Sequence, residues 1–191
     1  MASVILFHSA LGLRPAVTRM AKRLQAAGHQ VLTPDLYQGR VFDELDQGIA
    51  HRDELGIPEL SARAQTAVEP MPRDVVYMGL SMGAASAIFL SLTRPGGRGV
   101  VLLHGVIPPQ MMGVDAWPAD LPVLVHRSAE DPEVDADAVE LFHRAVPESV
   151  LEEHVHASDH HLFTDDDLPE HDPDAAEEVI ASVLRFLTRV G

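Results

Sequence analysis

The sequence contains no cysteine. Disulfides, thiolate metal sites and a cysteine nucleophile are thereby excluded, and the absence fits a reducing, cytoplasmic setting. No apolar stretch approaches the ~20 residues that a membrane-spanning helix needs. The opening segment, Met1-Ala2-Ser3-Val4-Ile5-Leu6-Phe7-His8, is apolar but short. It lacks a basic leader and a small-residue cleavage site, so it reads as a strand and not as a signal peptide. Basic charge is scarce: 14 Lys and Arg stand against 29 Asp and Glu, a formal net charge of −15. Such a surface is unsuited to nucleic acid, which is bound by displacing counterions with basic side chains, and to anionic lipid. A small molecule is the expected partner, for a monomer or a small homo-oligomer.

What is present is a chain of 191 residues, 46% apolar and 23% charged, enough for one domain with a substantial core, expected over 1–191. Short apolar runs at Ser3–Phe7, 30–33, 74–78, Gly99–Leu103, 122–126 and 150–155 are mostly continuous and rich in Val, Ile and Leu. Strands buried on both faces have this pattern. Between them, 15–27, 82–92, Ala136–Ala145 and Pro173–Val190 carry helical spacing. Strand and helix alternate, which predicts a mainly parallel α/β sheet flanked by helices. Segment 39–71 is less regular; it holds one or two helices, with 59–68 the better candidate. The loop 104–122 is too short for a second domain and is expected to form a pocket wall or lid.

The strongest chemical signal is Gly79-Leu80-Ser81-Met82-Gly83, a G-x-S-x-G. A nucleophile elbow needs a very tight strand-to-helix turn, and glycines two positions either side of the serine let the backbone fold closely. The plain alternative is a glycine-flanked turn with an N-cap serine. Here a buried strand is expected just before the motif and a buried helix just after it. A serine nucleophile needs a base and an orienting acid. After the run 122–126 come Glu130, Asp131 and, further on, Asp135; Asp131 has the best position, with Glu130 its nearest rival. After the last strand run come Asp159-His160-His161, and spacing alone leaves the two histidines equivalent.

Several segments resemble the dienelactone hydrolase family of α/β-hydrolases. Thr33-Pro34-Asp35-Leu36-Tyr37 is similar to that family's P-D-L-Y after the second strand. Asp131-Pro132-Glu133-Val134 matches its D-x-x-V at the catalytic acid. His161-Leu162-Phe163 matches its G-H-x-F at the catalytic histidine, with His160 in the glycine's place. The resemblance implies a three-layer α/β-hydrolase fold in a minimal version, with six strands ordered 2-1-3-4-5-6. It also implies a triad of Ser81, Asp131 and His161. Three departures qualify it. Ser81 replaces the cysteine of the best-known members, Ser9 stands near the place of an activating glutamate, and Asp165 stands where an arginine holds the substrate carboxylate. A neutral or cationic ester suits this chain better than an anionic one.

The first loop, His8-Ser9-Ala10-Leu11-Gly12, resembles the H-G-x-x-G of hydrolases, which implies an oxyanion hole made by the backbone N–H groups of Ala10 and Met82. Leu11, Tyr37, His104 and Phe163 are expected to line the substrate pocket. Eleven histidines raise the question of a metal, and His154 and His156 alternate within a strand. None of the usual zinc spacings is present, the acidic run 165–167 lacks the glycine of a calcium loop, and no nucleotide-binding glycine motif follows a strand. No metal and no cofactor is therefore expected. The reading is a serine hydrolase that cleaves a small ester or lactone through an acyl-enzyme. The alternative is a non-catalytic binding or partner protein of the same fold.

Overall fold

The central apolar runs become strands because they can be covered on both sides, and the runs at 30–33 and 150–155 pair at the edges of the sheet. The computed structural model describes residues 1–191. Strands β1 (Ser3–Phe7), β2 (Gln30–Leu32), β3 (Val76–Leu80), β4 (Gly99–Leu103), β5 (Val123–Ser128) and β6 (Leu151–His156) form one sheet in the order β2-β1-β3-β4-β5-β6. Every pairing is parallel, so the α/β-hydrolase architecture and the strand order are as expected.

Alternate strand residues feed two cores. Ile5, Phe7, Tyr77, Val100, Leu102, Val123 and Val125 pack under α2 (Leu45–Val68), α3 (Met82–Thr93) and α4 (Ala136–Ala145). Val4, Leu6, Val76, Met78, Leu80, Val101 and Leu124 pack under α1 (Pro15–Ala26) and α5 (Pro173–Val190). Burying each such side chain contributes about 1.5–3 kcal/mol, which is why the sheet is the rigid part of the molecule. Helix starts follow local chemistry. Asp135 accepts the N–H of Asp137 to cap α4, and Asp172 accepts those of Asp174 and Ala175 to cap α5 ahead of Pro173.

Two expectations are corrected. β3 extends to Leu80 instead of ending at 78, which carries the strand directly into Ser81. In 39–71, helix occupies Leu45–Val68 and not only 59–68; it breaks where Gly56 takes φ 77° just before Pro58. Gly48, Gly56 and Pro58 depress helix propensity there and hide the first half.

Histidines are unusually buried where β5 meets β6. The ring of His126 is fully buried. It stacks on His154 at 4.5 Å and places Nδ1 3.0 Å from His156 Nε2. Burial, and then the charges of His154 and His156, push the pKa of His126 down to about 3. The folded form therefore holds it neutral, whereas the unfolded chain takes up a proton below about 6.5. Protons then favour unfolding, and His126 costs stability as pH falls from about 6.5 towards 3. In urea unfolding between pH 7.5 and 5, stability should drop. His126→Phe should remove up to about 1.4 kcal/mol per pH unit of that drop. Equal pH slopes in the two proteins would contradict this.

Candidate active site

The elbow is built by two close approaches. A Cβ on Gly79 would lie 2.1 Å from the Gly83 carbonyl oxygen, and one on Gly83 would lie 2.4 Å from that of Phe7 and 2.7 Å from that of His8. Only hydrogen fits at either position, so α3 starts directly against the ends of β1 and β3. Ser81 between them is held at φ 51°, ψ −113°, a conformation that costs an L-residue about 1–3 kcal/mol. Its N–H still donates to Leu103 O at 2.8 Å, so the strained residue stays tied to β4.

The structure brings Ser81, His161 and Asp131 together. Ser81 Oγ lies 2.7 Å from His161 Nε2, and His161 Nδ1 lies 2.7 Å from Asp131 Oδ2. The Asp131 side chain is 1% exposed and also accepts the Glu133 N–H at 2.9 Å. The rivals stand apart. Glu130 is exposed, and its N–H ties the loop to Ser158 O. Asp135 caps α4. His160 is exposed, with Nδ1 3.0 Å from Glu170 O. Ser128 Oγ donates to His160 O at 2.6 Å, pinning the histidine loop to the end of β5.

The first loop is held just as tightly. Buried His8 donates from Nδ1 to Ser9 O at 2.7 Å and accepts the Leu36 N–H at Nε2, 3.0 Å away. Burial lowers its pKa, which keeps Nε2 free to accept. Ser9 is buried and accepts the Leu11 N–H; its hydroxyl shapes the loop. The Ala10 N–H makes no hydrogen bond within the chain. Met82 opens α3, whose first N–H groups have no intrahelical partner. A Cβ on Gly48 of α2 would lie 2.2 Å from Ala10 O, so this helix rests directly on the loop.

Three expected pocket residues are corrected: they are interior. Tyr37 is 2% exposed; its hydroxyl donates to Gly48 O at 3.3 Å and lies 3.2 Å from Met82 Sδ. Burial raises its pKa to about 12. His104 is 1% exposed and Phe163 fully buried, their rings packed edge to face at 4.7 Å. Leu11 does line the cleft beside His161, which has a volume of about 360 Å³. Its walls also carry Leu45, Leu162 and Leu168, together with the carboxylates of Asp43, Glu44, Glu133, Asp159 and Glu170, and neither Lys nor Arg. Sequence reading missed these acids, because exposed loop acids have no periodicity to mark them. Asp165 is not among them: its buried carboxylate lies 3.2 Å from Arg14 Nε. The Arg14 charge only partly offsets the burial that raises the pKa of Asp165, and Asp165 does not line the cleft beside His161.

A parallel six-stranded sheet with a serine at a strained strand-to-helix turn defines an α/β-hydrolase. The chain belongs to the dienelactone hydrolase family, whose model matches residues 1–191, and it is a hydrolase. A search among curated proteins finds no significant match. Solved structures with the same fold include a protein named m3DLH, 22% identical, with a TM-score of 0.77 over 99% of this chain and 86% of that one. A candidate dienelactone hydrolase from Klebsiella pneumoniae is 17% identical, with a TM-score of 0.76 over 99% and 87%. A dienelactone hydrolase-like promiscuous phosphotriesterase, P91, from metagenomic libraries is 22% identical, with a TM-score of 0.70 over 100% and 87%.

Gly48 supplies a test of the loop geometry. In an unconstrained helix, Gly→Ala stabilises by up to about 1 kcal/mol. At Gly48 the added methyl would strike Ala10 O. Gly48→Ala should therefore destabilise by about 1–3 kcal/mol in urea unfolding; stabilisation would show that α2 does not press on this loop.

Proposed function

We propose that the protein is a serine esterase that cleaves a small neutral or cationic ester or lactone through an acyl-enzyme. The observation that carries this reading is the pair of 2.7 Å contacts linking Ser81 to His161 and His161 to Asp131, made from the strained backbone of Ser81 at φ 51°.

The steps follow from the geometry. Ser81 Oγ attacks the carbonyl carbon while His161 Nε2 takes its proton. Asp131 accepts the Nδ1–H, fixes the tautomer and stabilises the imidazolium that forms. The N–H groups of Ala10 and Met82 hold the oxyanion. Each such donor contributes about 3–4 kcal/mol to the transition state. Collapse breaks the ester C–O bond, and His161 returns its proton to the leaving alkoxide. Water then attacks the acyl-serine, again giving its proton to His161, and the acid leaves as Ser81 is restored.

The charge of the cleft bears on the substrate. Five carboxylates with neither Lys nor Arg among the lining residues, on a chain of net charge −15, oppose an anion. For three matched esters, kcat/KM should be lowest for the carboxylate-bearing one, and the differences should shrink with salt, which screens beyond ~8–10 Å. Fastest turnover of the anion would overturn the charge argument. The acid is tested separately. Asp131→Asn should lower kcat by about 10³–10⁴-fold, as loss of the orienting acid does in such triads. Glu130→Gln should stay within about twofold. The reverse pattern would move the acid by one residue.

A further inference from the structure

We infer that His104 is a positioning residue for His161, its buried ring clamping the turn that carries the base. The inference rests on the reading of His161 as that base. His104 follows β4, between the strand that leads into Ser81 and the strand that leads towards Asp131. Its N–H donates to His126 O at 2.8 Å, and its backbone stands at φ 68°. A side chain in this region costs about 1–3 kcal/mol, and a buried imidazole adds a desolvation cost. Contacts made by the ring must offset both.

Those contacts converge on the histidine turn. His104 Nε2 lies 2.7 Å from Thr164 Oγ1. The ring meets that of His161 edge to face at 6.3 Å and that of Phe163 at 4.7 Å. His104 Nδ1 has no hydrogen-bond partner. One ring therefore touches both the base and the residue three positions later. The titratable groups around it are His126 from β5, His156 from β6 and His161 itself. Burial first, and then these basic groups, push its pKa down, so His104 stays neutral, a rigid polar floor that adds no charge beside the base. The floor matters because His161 must meet two partners at once, and a misplacement of about 1 Å at such a site costs on the order of 10²-fold in rate.

The test uses His104→Leu, His104→Gln and Thr164→Val. Three readouts are followed, kcat on a neutral p-nitrophenyl ester, the acid limb of the pH profile and the downfield proton resonance of the His161 Nδ1–H···Asp131 bond, with KM measured alongside. His104→Leu should lower kcat at least tenfold with KM within twofold. It should also weaken the resonance and move the acid limb to lower pH, because a base loosened from Asp131 holds its proton less tightly. His104→Gln, whose amide still reaches Thr164, should recover most of both. Thr164→Val, which leaves His104 in place, should shift all three readouts less but in the same direction, and it keeps the test open if His104→Leu does not fold. Unchanged kcat, limb and resonance in the folded variants would overturn the clamp, as would a loss of kcat that only tracks the folded fraction. A wild type that turns over no ester yet shows a resonance sensitive to His104 would overturn the esterase reading and leave the clamp standing.

Discussion

The structure depends on one close approach: the start of α3 against the carbonyls of Phe7 and His8, which leaves room for a hydrogen and nothing larger at Gly83. This contact sets the distance between the helix and the sheet at the point where the chain must turn. Given that distance, Ser81 has no relaxed conformation available, and its φ of 51° is the consequence. The strain of about 1–3 kcal/mol is small against the burial of the two strand faces on either side of it. The same approach seats the start of α3 on the end of β1, so Ser81 and the candidate oxyanion donor Met82 share one mechanical origin.

Around this fixed point, charge is managed by exclusion. His8, His104, His126 and His156 are all held below the ordinary histidine range, chiefly by burial. They serve as neutral donors, acceptors and stacking surfaces. Where a charge must be buried it is paired, as Arg14 is with Asp165 and Asp43. The other cleft acids, Glu44, Glu133, Asp159 and Glu170, stand where water or a substrate can reach them. The molecule thus separates a neutral histidine scaffold beneath the site from an acidic mouth above it.

Much of this was legible in the sequence, for physical reasons that also explain what was not. Strands buried on both faces must be apolar throughout, so the four inner runs stood out, while edge strand β6 mixes Glu and His with Leu and Val; run ends slid by one or two residues because burial continues into the turns. The elbow was legible because only glycine tolerates its contacts. Tyr37, His104 and Phe163 sit near loops at the site, which is why their positions in the sequence suggest a pocket. The sequence does not say whether a loop side chain turns inward, and all three do. The first half of α2 was hidden by Gly48, Gly56 and Pro58, poor helix formers. Gly48 is nonetheless required there, because the helix rests on Ala10 O. Its role is a contact between segments 38 residues apart in sequence (48 minus 10), which no local pattern encodes.

The central claim is that Ser81 is an activated nucleophile, made so by His161. Mass spectrometry of the protein after reaction with a fluorophosphonate tests it most directly, because only an activated serine attacks phosphorus at a useful rate. A single stoichiometric adduct is expected on the peptide that carries Ser81, absent in Ser81→Ala and slowed by orders of magnitude in His161→Ala. An unlabelled protein, or an adduct that forms equally fast without His161, would contradict it.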